Sequence, residues 1–353
     1  MAARRAGGEH MDEQEQKRML TENRTFRPSE ERYKRMTYRR AGRSGLRLSE
    51  VSLGLWHNFG SVDSYENMRN MVFTAFDSGV TVYDIANNYG PVVGSAERNF
   101  GSILSHDLSA YRDEMIVTTK AGFPYWKGPY GDGGGLKYLV ASLDRSLKNL
   151  GLDYVDVFYH HRPDPDTPLE ETAYALRCIA ESGKALYIGI SNYGAPLAEK
   201  MCALLRAEKV PFVLDQVPYS IFERTCEREG LLRLAEEQGF SVTAYSPLAQ
   251  GLLTGRYLDG IPEGSRMQKH GYLREKFDEK TLAKVRALNA LAKERGQTLA
   301  EMALSWVLRK SSVSSVIIGA SSSAQIRENL TLNTSFTAEE LARIDEISPA
   351  EAK

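Results

Sequence analysis

Eight short apolar runs, rich in β-branched residues and alternating with amphipathic helix patterns, constrain this chain more than any other feature. They fall at residues 51–55, 81–85, 115–119, 155–159, 185–190, 212–216, 241–245 and 313–318. Runs of this length, punctuated by Gly, Asn and Pro, read as buried strands, and the segments between them repeat apolar residues at helical spacing. Leu139, Leu143, Leu147 and Leu150 share one face of a helix predicted over 138–150, and Thr167-Pro168 opens another over 169–182. Eight strand-helix units imply a closed parallel barrel with its helices outside, an architecture that commonly takes about 250 residues. No Pro- or Ser-rich linker divides the 353 residues. Residues 36–353 therefore read as one domain, preceded by a charged, disordered or loosely ordered arm over 1–35.

Two connections are long, 121–137 after the third strand and 246–278 after the seventh, and both leave strand carboxyl ends, where barrel enzymes place their sites. In the first, Tyr125, Trp126 and Tyr130 are followed by Gly131, Gly133, Gly134 and Gly135, a pattern that suits a substrate wall with a mobile hinge. No Lys-Ser/Thr follows this glycine run, so it is not a P-loop. A formal net charge of -1 leaves no basic stripe for nucleic acid, and small metabolites are the expected partners. Cys178, Cys202 and Cys226 form no CxxC or Cys/His cluster, which suggests neither a disulfide framework nor a metal site and fits a reducing cytosol. No run approaches the roughly 20 apolar residues of a membrane span, and none follows Arg4-Arg5 to make an export signal. The expected location is cytoplasmic.

The strand ends carry the chemistry. The second run closes on Asp84 and leads through Asn87 and Asn88 to Tyr89, the third delivers Lys120, and the fourth delivers His160 and His161. An acid, a phenol, an amine and an imidazole would thus share one rim. A free phenol has a pKa of about 10, and a buried ammonium beside it is expected to favour the phenolate and lower that value. Asp84 would keep the lysine charged and in place. Adjacent strand residues point to opposite faces, so only one of His160 and His161 can face such a pocket. No side chain here supplies electrons, and a hydride cofactor is implied.

Together with the ordered motifs LGLW, YDIANNYG, TTKAG, VDVFYHH, GISNY, DQVPY, AYSPLAQGLLTG and IIGASSSAQIREN, these residues resemble the aldo-keto reductase family across about 38–347. The likeness is greatest to a bacterial branch that reduces glyceraldehyde 3-phosphate and methylglyoxal and is related to potassium-channel β subunits. It implies a (β/α)8 TIM barrel, its bottom plugged by an N-terminal β-hairpin around Arg43-Ser44-Gly45, with long loops after strands 3 and 7. It also implies a catalytic tetrad of Asp84, Tyr89, Lys120 and His161, the last selected over His160 because it lies five residues after Asp156.

The resemblance further implies NADP(H) and the residues that hold it. Ser191, Asn192 and Gln216 match the positions that hold the nicotinamide carboxamide, and Tyr245 matches the residue stacked on the nicotinamide ring. Ser246, Pro247, Leu248, Gly251, Leu253 and Gly255 form a loop whose backbone amides suit a pyrophosphate. Gly319, Ser321, Gln325, Glu328 and Asn329 surround the helix start where the family seats the adenosine 2′-phosphate, although Ala320, Ser322 and Gln325 stand where many members have Lys or Arg. Trp56 and Trp126 are expected to border the substrate. Arg162, with Arg266, Lys269 and His270, is expected to receive an anionic group, unless it bridges to Asp164 or Asp166. The function expected is NADPH-dependent reduction of small aldehydes and ketones. Its rivals are a redox-sensing or channel-regulatory subunit that binds nucleotide and turns over little, and a lysine Schiff-base aldolase, which leaves the nucleotide motifs unexplained. The resemblance makes a homo-oligomer plausible, and the sequence of one chain does not mark out the interface.

Overall fold

A computed structural model describes residues 26–258, 260–261 and 278–350 of the chain. All eight apolar runs become strands: β3 (Val51–Gly54), β4 (Val82–Asp84), β5 (Ile116–Ala121), β6 (Val155–His160), β7 (Ala185–Ser191), β8 (Phe212–Pro218), β9 (Ser241–Tyr245) and β10 (Val313–Ile318). They pair in parallel and in sequence order, and β10 closes on β3 to complete the barrel. Each is buried almost throughout, because side chains on one face fill the barrel and those on the other meet the helices, which is why the runs are continuously apolar.

The outer layer includes α1 (Tyr65–Asp77), α2 (Ser95–Ile103), α3 (Leu136–Leu150), α4 (Leu169–Glu181), α5 (Ala195–Ala207), α6 (Leu231–Gln238), α7 (Glu279–Glu294), α8 (Leu299–Leu308), α9 (Ser323–Glu328) and α10 (Ala338–Ile347). Their ends follow local chemistry. Ser64 caps α1 by accepting from the Asn67 amide, α3 stops at Gly151 in the left-handed region with φ 65°, and α8 and α10 open with Thr-Glu capping boxes. Each such cap contributes about 1 kcal/mol. Leu139, Leu143, Leu147 and Leu150 bury together against the barrel, as their spacing requires.

Ahead of the barrel, β1 (Tyr38–Arg40) and β2 (Arg47–Ser49) form an antiparallel hairpin. Its Ala41 and Leu48 are buried with Val82, Ile116, Val157 and Val213 from the amino-terminal halves of the strands, so the hairpin seals that mouth. Gly42, at φ 58°, lies so close to the Gly239 backbone that any Cβ would overlap it. The described part of the arm, largely exposed, is tied to the barrel's helices at specific points. Phe26 stacks on Phe73 at 4.0 Å, and Arg32 pairs with Glu114 while lying over Phe76, contacts that charge patterning alone does not disclose.

With the bottom sealed, access is left to the carboxyl ends, where the loop 122–135 and the segment after β9 both lie. Arg266, Lys269 and His270 lie outside the described residues. Among those described, no helix is long and apolar enough to cross a membrane.

Candidate active site

Asp84 ends β4 and points into the barrel, where it receives three donors: Lys120 Nζ on Oδ2 at 2.7 Å, Thr118 Oγ1 on Oδ1 at 2.9 Å, and Gln216 Nε2 on Oδ1 at 2.8 Å. Thr118 and Lys120 share a face of β5 because strand side chains alternate. Lys120 is fully buried and also donates to the Ile85 carbonyl at 2.8 Å. A buried ion pair is tolerated when hydrogen bonds satisfy the remaining lone pairs, and this carboxylate meets that condition.

Tyr89 stands above the pair, its ring centroid 5.2 Å from Lys120 Nζ, 5.9 Å from the His161 ring and 6.2 Å from the Trp56 ring. The expectation that Lys120 lowers the phenol pKa is reversed. Burial pushes Tyr89 well above its usual value and Asp84 adds to the effect, because the ammonium spends its protons on Asp84 and Ile85. Tyr89 thus keeps its proton at neutrality. Burial also draws Lys120 down, against the opposing pull of Asp84.

The two adjacent histidines part as strand alternation demands. His160 turns outward, with Nδ1 2.7 Å from the Tyr193 hydroxyl, and His161 turns toward Tyr89. Burial and then Lys120 push His161 well below its ordinary pKa, so its imidazole is neutral. Its Nδ1 is buried with no hydrogen-bond partner among the described residues. Phe123 meets the His161 ring edge-on at 4.7 Å, a neighbour that loop composition concealed.

Beside the tetrad, Ser191 Oγ donates to the Gln216 carbonyl at 2.8 Å, Asn192 Nδ2 donates to the His161 carbonyl at 2.9 Å, and the Tyr245 hydroxyl donates to Asn192 Oδ1 at 2.7 Å. Asn192 adopts φ 63°, a left-handed turn that Asn tolerates and that aims its side chain along the rim. The structure therefore gathers Ser191, Asn192, Gln216 and Tyr245 next to Asp84, Tyr89, Lys120 and His161.

After β9 the backbone is unusual. Ser246, Ala249 and Gln250 have φ of 52°, 47° and 58°, conformations that cost non-glycine residues energy and cluster at functional sites. Within this turn the Gly251 and Leu253 amides both donate to the Leu248 carbonyl, so they are spent on the turn and are not offered to an anion as the sequence suggested. Beyond β10, the Ser321 amide and hydroxyl both donate to Gln325 Oε1, at 2.9 and 3.1 Å, in the first turn of the six-residue α9. Glu328 is exposed and Asn329 buried.

Two expected substrate neighbours are placed differently. Trp56 is half exposed next to Tyr89, but Trp126 packs against Tyr138 of α3, 5.2 Å between rings, with Arg145 over its face. The Tyr138 hydroxyl donates to the Phe123 carbonyl at 2.6 Å, which ties that part of the loop to α3. Arg162 bridges neither to Asp164 nor to Asp166. Its guanidinium donates to both oxygens of Asp132, and Asp164 instead accepts from the Gly134 amide and Thr167.

A closed parallel barrel with an acid, amine, phenol and imidazole at its carboxyl rim defines an oxidoreductase of the carbonyl-reducing type. Residues 50–349 match the model of the Aldo/keto reductase family, and the chain belongs to it. It is 51% identical over 323 residues to L-glyceraldehyde 3-phosphate reductase of Escherichia coli K12, covering 90% of this chain and 93% of that one. It is 37% identical to a probable voltage-gated potassium channel subunit beta of Oryza sativa subsp. japonica, covering 84% and 90% of the two chains. A crystal structure of a thermostable aldo-keto reductase with the inhibitor epalrestat superposes with a TM-score of 0.70 at 29% identity, over 88% of this chain and all of the other. Enzymes of this family use nicotinamide cofactors.

Proposed function

We propose that this chain is an NADPH-dependent reductase of small aldehydes and ketones, with glyceraldehyde 3-phosphate and methylglyoxal as candidate substrates. One observation carries the reading: the Tyr89 phenol sits between a buried Lys120-Asp84 pair and an inward-facing His161. The substrate candidates draw support from the 51% identity to a reductase named for glyceraldehyde 3-phosphate.

The residues fit a nicotinamide dinucleotide. Gln216, Ser191 and Asn192 offer amide and hydroxyl groups at one end of the rim, Tyr245 presents a partly buried ring beside them, and the left-handed turn at Ser246, Ala249 and Gln250 shapes the loop toward Gly255. Ser321 and Gln325, already bonded to each other at the start of α9, would receive a 2′-phosphate. When bound, the nicotinamide supplies the hydride.

The protein's part is proton management and positioning. His161, neutral and buried, orients the carbonyl oxygen by hydrogen bonding. Tyr89 Oη holds the proton and transfers it to that oxygen as negative charge develops there. Lys120 keeps a positive charge below the ring, which stabilises the phenolate left behind, and Asp84 keeps Lys120 protonated and still. Because these groups are fixed before reaction, little reorganisation opposes the step. The test is NADPH consumption with a panel of aldehydes and sugar phosphates. Turnover with none of them, or equal use of NADH, overturns the reading.

A further inference from the structure

We propose that Arg162 is the receptor for an anionic group on the substrate, a phosphate ester close to the reacting carbonyl, and that Asp132 is an internal stand-in which this group displaces. The inference rests on the reductase reading above and adds to it the residue pair that selects for charge.

Arg162 follows His161 directly, so β6 fixes both backbones. Three contacts aim its guanidinium. Nε donates to the Gly122 carbonyl at 2.8 Å, the plane lies 5.0 Å over the Phe123 ring, and one terminal nitrogen donates to both Asp132 oxygens at 3.0 Å. Phe123 is the same ring that meets His161 edge-on, so a single aromatic side chain separates the receptor from the imidazole that orients the carbonyl. Gly122 makes this crowding possible: at φ 152°, a Cβ there would sit 3.1 Å from the His161 nitrogen and 3.2 Å from that of Arg162. Two cations of α3 are used elsewhere, with Lys137 over Tyr130 and Arg145 over Tyr125.

The Arg162 and Asp132 side chains are 31% and 41% exposed, so an incoming anion can reach the pair. An exposed ion pair contributes little and is easily exchanged. A phosphate carries more charge than a carboxylate and suits the guanidinium fork in bidentate geometry. The Gly122 and Phe123 contacts would keep the fork aimed after Asp132 leaves, so little ordering cost is added on binding. The Gly133 amide, 2.7 Å from Asp132 Oδ1, remains as a partner for the displaced carboxylate.

The experiment compares kcat/KM for glyceraldehyde 3-phosphate and for glyceraldehyde in wild type, Arg162→Met, Arg162→Lys, Asp132→Asn and the Asp132→Asn/Arg162→Met double variant. Losing a hydrogen bond to a charged group should lower the phosphorylated-to-neutral ratio roughly 10- to 100-fold in Arg162→Met, and by less in Arg162→Lys. Removing the competitor should raise that ratio about two- to fivefold in Asp132→Asn. The Asp132→Asn gain should vanish in the double variant. Inorganic phosphate, titrated by calorimetry, should bind more tightly to Asp132→Asn than to wild type and be lost in Arg162→Met, whether or not the aldehydes turn over. A ratio independent of Arg162, or an Asp132→Asn gain that persists without the arginine, overturns the receptor and leaves the reductase standing. Failure of wild type on both aldehydes overturns the reductase reading, and the phosphate titration then decides on the receptor by itself.

Discussion

Gln216 reaches across the barrel to Asp84, placing its Nε2 2.8 Å from Oδ1. In the closed ring β8 stands opposite β4, so this bond spans the interior and ties the two walls together through one carboxylate. Lys120 and Thr118 bring β5 into the same knot. The Lys120-Asp84 ion pair is therefore held by three strands, and its geometry depends on barrel closure rather than on any one loop.

Gln216→Met keeps the volume and removes the donor. A buried charged acceptor that loses one hydrogen bond should cost about 1.5–3 kcal/mol of stability, read by urea unfolding without cofactor. Gln216→Glu should cost more at pH 7, since two adjacent buried carboxylates cannot both ionise, and the excess should shrink toward pH 5 as protonation of the unfolded chain becomes easier. Equal stability of Gln216→Met and wild type would mean that the crossing bond contributes nothing.

The fold was readable in the sequence because it rests on short-range regularities, and the gathering of Asp84, Tyr89, Lys120 and His161 on one rim was expected from the strand ends taken together with the motif resemblance. Strands buried on two faces must be apolar throughout, and a polar residue at such a strand's end has few reasons to be there, which singled out Asp84, Lys120 and the His160-His161 pair. Alternation alone separated the two histidines onto opposite faces. What stayed hidden depends on closure or on loop shape. Nothing local tells that Gln216 lies opposite Asp84, that Asp132 turns back to Arg162, or that Phe123 rather than Trp126 meets His161. Thr118 was within reach, being two residues before Lys120 on the same strand face. The direction of the Tyr89 shift was misjudged because the desolvation of a phenolate depends on packing around the ring, which spacing does not encode.

His160 makes stability depend on acid. It is fully buried, and burial pushes its pKa down to about 4, below the value of about 6.5 in an unfolded chain. As pH falls through 6.5 the unfolded chain takes up the proton first, so the native state is fully favoured above 6.5 and loses ground toward pH 4. The loss from this one group should be about 3 kcal/mol. His160→Gln should flatten the dependence between pH 6.5 and 4 in urea titrations, with a fixed cost at pH 7 for the Tyr193 hydrogen bond. A slope as steep as that of wild type would place the acid sensitivity elsewhere.

Cofactor preference is expected to rest on Ser321 and Gln325, whose side chains already bond to each other. Ser321→Asp would set a carboxylate where a 2′-phosphate would lie. Like charges brought together should weaken NADPH relative to NADH by about tenfold or more, and the difference should narrow in high salt. Fluorescence titration of both dinucleotides measures it, and an unchanged ratio would move the 2′-phosphate away from α9.

The chemical step offers the sharpest test, because it also separates a working reductase from a nucleotide-binding subunit with little turnover. Tyr89→Phe removes one hydroxyl from a side chain whose contacts with Lys120, His161 and Trp56 are made by its ring, so the fold and dinucleotide affinity should survive. A positioned general acid typically contributes about 10² to 10⁴ in rate, and kcat should fall by that factor. Lys120→Met should act on the same step but differ in stability. It strips Asp84 of its counter-ion and leaves a buried carboxylate with Thr118 and Gln216 alone, which should cost about 3–5 kcal/mol. In the double variant the kinetic losses should fall far short of the product of the single ones, since the ammonium acts through the phenol. Retention of near wild-type kcat in Tyr89→Phe, with glyceraldehyde as substrate, would remove Tyr89 from the reaction, and kinetic losses that multiply in the double variant would assign Lys120 a separate role.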